Sequence, residues 1–109
     1  MAESFEEYPP FELSRLEREY AEAPEILTEI FSIFTEETPE RLQTLREGAR
    51  NEDSARVQKA AHSLANTSGT LRAEKALKLA RATEESARAG DLTTMQERAE
   101  LLATEIEGI

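Results

Sequence analysis

The chain of 109 residues contains no cysteine. Disulfides, thiolate metal sites and thiol redox chemistry are therefore excluded. No run of about 18 apolar residues is present, so a membrane-spanning helix is not expected. The first ten residues, MAESFEEYPP, have neither the basic start nor the apolar stretch of a secretory signal, and the expected location is the cytoplasm. Basic residues are also scarce: 13 Lys and Arg face 23 Asp and Glu, for a net charge of −10. The acid is spread along the whole chain and no basic patch interrupts it, which argues against binding nucleic acid or an anionic membrane. A protein or a small molecule is the expected partner. Histidine occurs once, at position 62. A metal site would need at least two further soft or imidazole ligands, so none is expected.

Helix formers dominate, and β-branched alternation is nowhere sustained, which predicts an all-α fold. A chain of this length makes one domain, divided here into a flexible N-terminal arm over 1–10 and a helical bundle over 11–109. Leu13, Leu16 and Tyr20 recur at helical spacing and predict a short first helix across the larger bundle. Pro24 suits the first turn of the next helix, whose apolar set is Ile26, Leu27, Ile30, Phe31, Phe34, Leu42, Leu45 and Ala49. Pro39 falls inside that set. Because the stripe resumes in phase after it, a kink is expected there and not a stop.

Gly48 and the acidic turn that follows close this helix, and Asn51 or Asp53 is the candidate cap of the third. In the fourth, Ala73, Ala76, Leu77, Ala80, Thr83 and Ala87 face inward, with Gly90 as the stop. Asp91 caps a last helix whose core stripe is Leu92, Met95, Ala99, Leu102 and Ile106. Short connections make successive helices antiparallel, which predicts an up-down antiparallel four-helix bundle with a short additional N-terminal helix. Met95 and the phenylalanines read as core.

The direction of the histidine follows from the helical repeat. With about 100° per residue, Val57, Ala60, Ala61, Ser68 and Leu71 all fall within about 60° of Leu64, while His62 falls about 160° away. The ring is expected to point outward. Its stripe holds Ala55, Gln58, Lys59, Asn66 and Gly69, with no carboxylate among them. An exposed neutral imidazole is a nucleophile near neutral pH and needs no activating base if the electrophile arrives already activated. A phosphoryl group is such an electrophile, since its transfer depends chiefly on positioning and charge neutralisation. Lys59 is one turn away to offset that charge, and the amides of Gln58 and Asn66 can donate hydrogen bonds to it. Pairs such as Glu36/Glu37 and Glu84/Glu85 diverge by about 100° on a helix and read as solvated faces, not as catalytic acid–base or metal pairs.

The run AAHSLANTSGTLRAEKALKLARATEESARAGDL resembles the signature of histidine-containing phosphotransfer (HPt) domains, in which the histidine opens an H-[ST]-L-K-G motif. An E-x-x-A-R-x-G-D motif is matched by Glu84, Ala87, Arg88, Gly90 and Asp91. Upstream, Phe34, Pro39 and Leu42 match an F-x-x-x-x-P-x-x-L pattern, and the likeness covers roughly residues 11 to 107. It implies a phosphorelay intermediate that exchanges a phosphoryl group between His62 and the aspartate of a response-regulator receiver domain.

The implied role is that of a carrier without ATP-dependent kinase activity or a cofactor of its own, the Mg²⁺ belonging to the receiver. Receiver domains and hybrid sensor kinases are the implied partners, with Ala55, Ala65 and Gly69 in the docking surface and a monomer as the expected state. A starting methionine and a full set of helices suggest a free-standing protein. Ala65 replaces the family's usual lysine, Asn66 its usual glycine, and Arg72 a later glycine. Loss of the lysine costs about 1–2 kcal/mol of phosphoryl stabilisation unless Lys59 or a partner residue stands in. The alternative reading is an adaptor that binds receivers with weak or no phosphotransfer.

Overall fold

The computed structural model describes residues 4–109. Five helices, and no strand among the described residues, make up the fold: α1 (Leu13–Glu19), α2 (Pro24–Arg50), α3 (Ser54–Thr70), α4 (Glu74–Ala89) and α5 (Leu92–Glu107). Helix α3 packs on α2 and α4, and α5 closes the bundle by packing on both α4 and α2. The up-down four-helix arrangement with a short first helix is as expected.

Capping sets the boundaries. Asp53 accepts a hydrogen bond from the Arg56 backbone N–H at 3.1 Å and so starts α3. Asp91 does the same for α5 through Thr94, whose hydrogen bonds hold the Asp91 carboxyl below its ordinary range. Gly90 ends α4 in the left-handed conformation, with φ of 75°. Pro24 opens α2, which continues without a break over 27 residues with Pro39 inside it, so Pro39 does not stop the helix.

The core holds the expected apolar stripes. Leu45, Val57, Leu64, Met95 and Leu102 are fully buried at its centre. Leu79, Ala82, Ser86 and Ala103 are buried as well, beyond the residues expected. Helix α2 is longer than its neighbours by about 15 Å, at about 1.5 Å per residue. Its N-terminal part is therefore only partly covered. Leu27, Ile30, Phe31 and Phe34 pack against the edge of the core, and Ile26 is 46% exposed. The phenylalanines are thus rim residues, a correction to their reading as core. Phe11 meets Phe31 edge-on at 6.0 Å, and Phe31 meets Phe34 at 6.5 Å.

Two further differences concern the N-terminal region. The first helix spans seven residues, and Leu16 is its one buried side chain. Residues 1–3 of the expected flexible arm lie outside the described residues. The rest makes contacts that a loose arm would lack: Pro9 accepts a hydrogen bond from the Lys75 N–H at 3.1 Å, Lys75 pairs with Glu6, and Lys78 lies over the Tyr8 ring. Pro9 thereby satisfies one of the free N–H groups at the start of α4.

Candidate functional site

Helix α3 presents His62 because its opposite face is committed to the core. All six residues of the expected inward face, Val57, Ala60, Ala61, Leu64, Ser68 and Leu71, are buried. The His62 side chain is 63% exposed. Ala61 and Ala65 on α3, with Ala76 and Ala80 on α4, leave little bulk in this part of the core, and short side chains let helix axes approach closely.

That approach brings an acid to the ring. Glu84 Oε2 on α4 lies 2.9 Å from His62 Nδ1. A carboxylate only accepts, so Nδ1 carries the proton, and the lone pair is left on Nε2. The Glu84 side chain is 16% exposed and its Oε2 is also 3.5 Å from Arg88. One oxygen thus holds the ring from one side and a guanidinium from the other.

Glu84 corrects two expectations. The stripe on α3 itself is free of carboxylates, but the ring is not, because α4 supplies one. Nor do Glu84 and Glu85 form one solvated face: Glu85 is exposed, while Glu84 turns toward α3. The sequence did hold a signal. Glu84 is four residues after buried Ala80, about 40° around the helix from it, at the edge of the inward face.

The other expected residues divide. Ala55, Lys59 and Asn66 are exposed, and Gln58 and Gly69 are half-buried. Ala65 is 7% exposed and belongs to the core, so its assignment to a partner-binding surface is corrected. It lies about 100° from Leu64, on the flank that meets α4. Lys59 lies on the opposite flank, in a groove of about 730 Å³ between α2 and α3 that also holds Glu36, Glu37 and Glu40. Among the described residues, no hydrogen bond or ion pair engages the side chains of Gln58, Lys59 or Asn66.

Arg72 follows α3 with φ of 56°, in the left-handed region that favours glycine. Its N–H bonds the Gly69 carbonyl and the next N–H, of Ala73, bonds the Ser68 carbonyl, the paired closure of a Schellman turn. The position therefore accounts for a glycine in the resembled pattern. Arg72 occupies it while bonding Glu19 at 2.8 Å, which ties α1 to the end of α3 and lowers the Glu19 pKa.

A family model of the Hpt domain matches residues 29–109, most of the chain. The chain belongs to the Hpt domain family. No curated protein and no solved structure matches it. Hpt domains are phosphocarrier modules, not kinases, and act in histidine phosphotransfer with the receiver and kinase domains of two-component phosphorelays. The match begins within α2, so α1 and the arm lie outside it. No helix among the described residues is long and apolar enough to cross a membrane.

Proposed function

We propose that His62 is the phosphoryl acceptor of this Hpt domain and exchanges the group with the phosphoaspartate of a response-regulator receiver. One observation carries the reading: an exposed imidazole whose Nδ1 is held by Glu84 at 2.9 Å, which leaves Nε2 as the nucleophile. The Nε2 lone pair attacks phosphorus. The N–P bond forms as the aspartyl O–P bond breaks, and the receiver's carboxylate is the leaving group. The proton stays on Nδ1, where the Glu84 carboxylate offsets the positive charge that the ring acquires.

Lys59 offsets charge on the incoming phosphoryl group, and Gln58 and Asn66 donate hydrogen bonds to it. The receiver docks over Ala55, Gly69 and the α2–α3 groove, and its own Mg²⁺ and acidic pocket complete the reaction. No nucleotide enters the cycle. The domain works as a monomer.

Incubation with a phosphorylated receiver should place an acid-labile, base-stable label on the protein, and His62→Gln should abolish it. Measurable receiver binding without label would instead identify an adaptor.

A further inference from the structure

We infer, on the reading of His62 as the acceptor, that Arg88 is a positioning residue for the transfer: it balances the charge of Glu84, so that the carboxylate holds the proton on Nδ1 without drawing a second proton onto Nε2.

Glu84 has two opposed effects on the ring. Its Oε2 lies 2.9 Å from Nδ1, which leaves the lone pair on Nε2. A carboxylate so close to an imidazole also favours the doubly protonated ring, which has no lone pair to attack phosphorus. With its side chain 16% exposed, Glu84 is only weakly screened by water. A cation on the same oxygen offsets the second effect and keeps the first. Arg88, one turn further along α4, places its guanidinium 3.5 Å from Oε2. His62, Glu84 and Arg88 sum to zero charge while the ring is neutral, and a second proton would set one cation against another.

No other charged side chain around the ring takes that place. Arg81, one turn back on the same flank of α4, has no hydrogen bond or ion pair among the described residues, and Glu85 is exposed. On α3, Lys59 lies on the opposite flank. From α2, Glu37 pairs with Arg41 at 2.9 Å, and Glu36 and Glu40 line the groove beside Lys59. Helix α5 turns the uncharged Met95, Ala99 and Leu102 into the core, and its Arg98 reaches α4 at Ala82 and Ser86.

Imidazole ¹⁵N signals of the whole chain, followed with pH, test this balance without any receiver. Arg88 is 63% exposed, so the interaction has its strength in water. Unit charges about 6 Å apart in water change each other's proton affinity about threefold, so Arg88→Gln should move the His62 titration midpoint up by about half a pH unit. Arg88→Lys keeps the charge and should restore the midpoint. Arg81→Gln removes the same charge from the same flank but not from the Glu84 oxygen, and should move it less. With one phosphorylated receiver, the acid limb of the transfer rate should shift in Arg88→Gln as the midpoint does. An unmoved midpoint in Arg88→Gln, equal shifts in Arg88→Gln and Arg81→Gln, or a moved midpoint with an unmoved rate profile would overturn the inference. A moved midpoint with no label on His62 in any variant would instead count against His62 as the acceptor.

Discussion

Replacing Glu84 probes the proposed site most directly, because one oxygen of this residue fixes which imidazole nitrogen keeps its lone pair. The 2.9 Å contact is the only bond to the ring among the described residues. Hydrogen bonds to charged groups contribute about 1.5–3 kcal/mol. With the His62 side chain 63% exposed, the low end applies. About 1.4 kcal/mol corresponds to a tenfold change in rate, so Glu84→Ala should slow phosphorylation of His62 by about tenfold.

Glu84→Gln keeps an acceptor oxygen but not the charge, and should lose about threefold, since charge assistance roughly doubles such a bond. The assay is a single-turnover time course of label transfer from a phosphorylated receiver. Imidazole ¹⁵N shifts give a second readout: Glu84→Ala should move the neutral ring away from the Nδ1–H tautomer. Helix content should not change, as Glu84 is not part of the core. Wild-type transfer and wild-type nitrogen shifts in Glu84→Ala would refute the link between this carboxylate and Nε2 reactivity.

Lys59→Ala should lower the transfer rate while leaving the circular dichroism spectrum intact; equal rates would remove Lys59 from the phosphoryl site. Gly69→Leu should weaken receiver binding, seen by titration calorimetry, without unfolding the domain, because a Cβ there meets nothing within 4 Å. Gly48→Ala should behave oppositely and lower the melting temperature: its Cβ would lie 3.0 Å from Cγ2 of buried Val57, and overpacking costs about 1–3 kcal/mol against about 1 kcal/mol gained in helix propensity. Hydrogen bonding to Arg46 holds the Glu107 carboxyl below its ordinary 4.5. Its contribution to stability is therefore present above pH 4.5 and is lost as pH falls through the lowered value, so the acid limb of a denaturation profile should flatten in Glu107→Gln.

What the sequence revealed is what a single helix encodes. The angle that turned His62 outward depends only on the helical repeat and on Leu64 being inside, and the six buried positions of α3 agree with it. Caps are equally local, which is why Asp53 and Asp91 were legible as helix starts. The aromatic rim was not. Phe31 and Phe34 continue the apolar stripe of α2, but whether they reach the core depends on how far α2 outruns its neighbours. Arg46 and Glu107 are 61 positions apart, and nothing in either local pattern joins them.

Glu84 and Ala65 show the same limit at the site itself. Each sits beside the inward arc of its helix, where periodicity alone does not separate buried from exposed, and the small residues between α3 and α4 settle both outcomes. Their consequence is an asymmetric ring. Ala65 and Lys59 flank His62 by about 60° on opposite sides of α3. The Ala65 side is closed against α4 and carries the carboxylate at Nδ1. The Lys59 side faces the α2 groove and carries a cation that no hydrogen bond or ion pair among the described residues holds. A lysine at position 65 would place its charge on the flank where Glu84 already sits, and there it would compete with the ring for the same carboxylate. With alanine at that position Glu84 is left to His62 and Arg88, and in the proposed reaction neutralisation of the phosphoryl group falls to the α2 flank, where loss of Lys59 should be felt most.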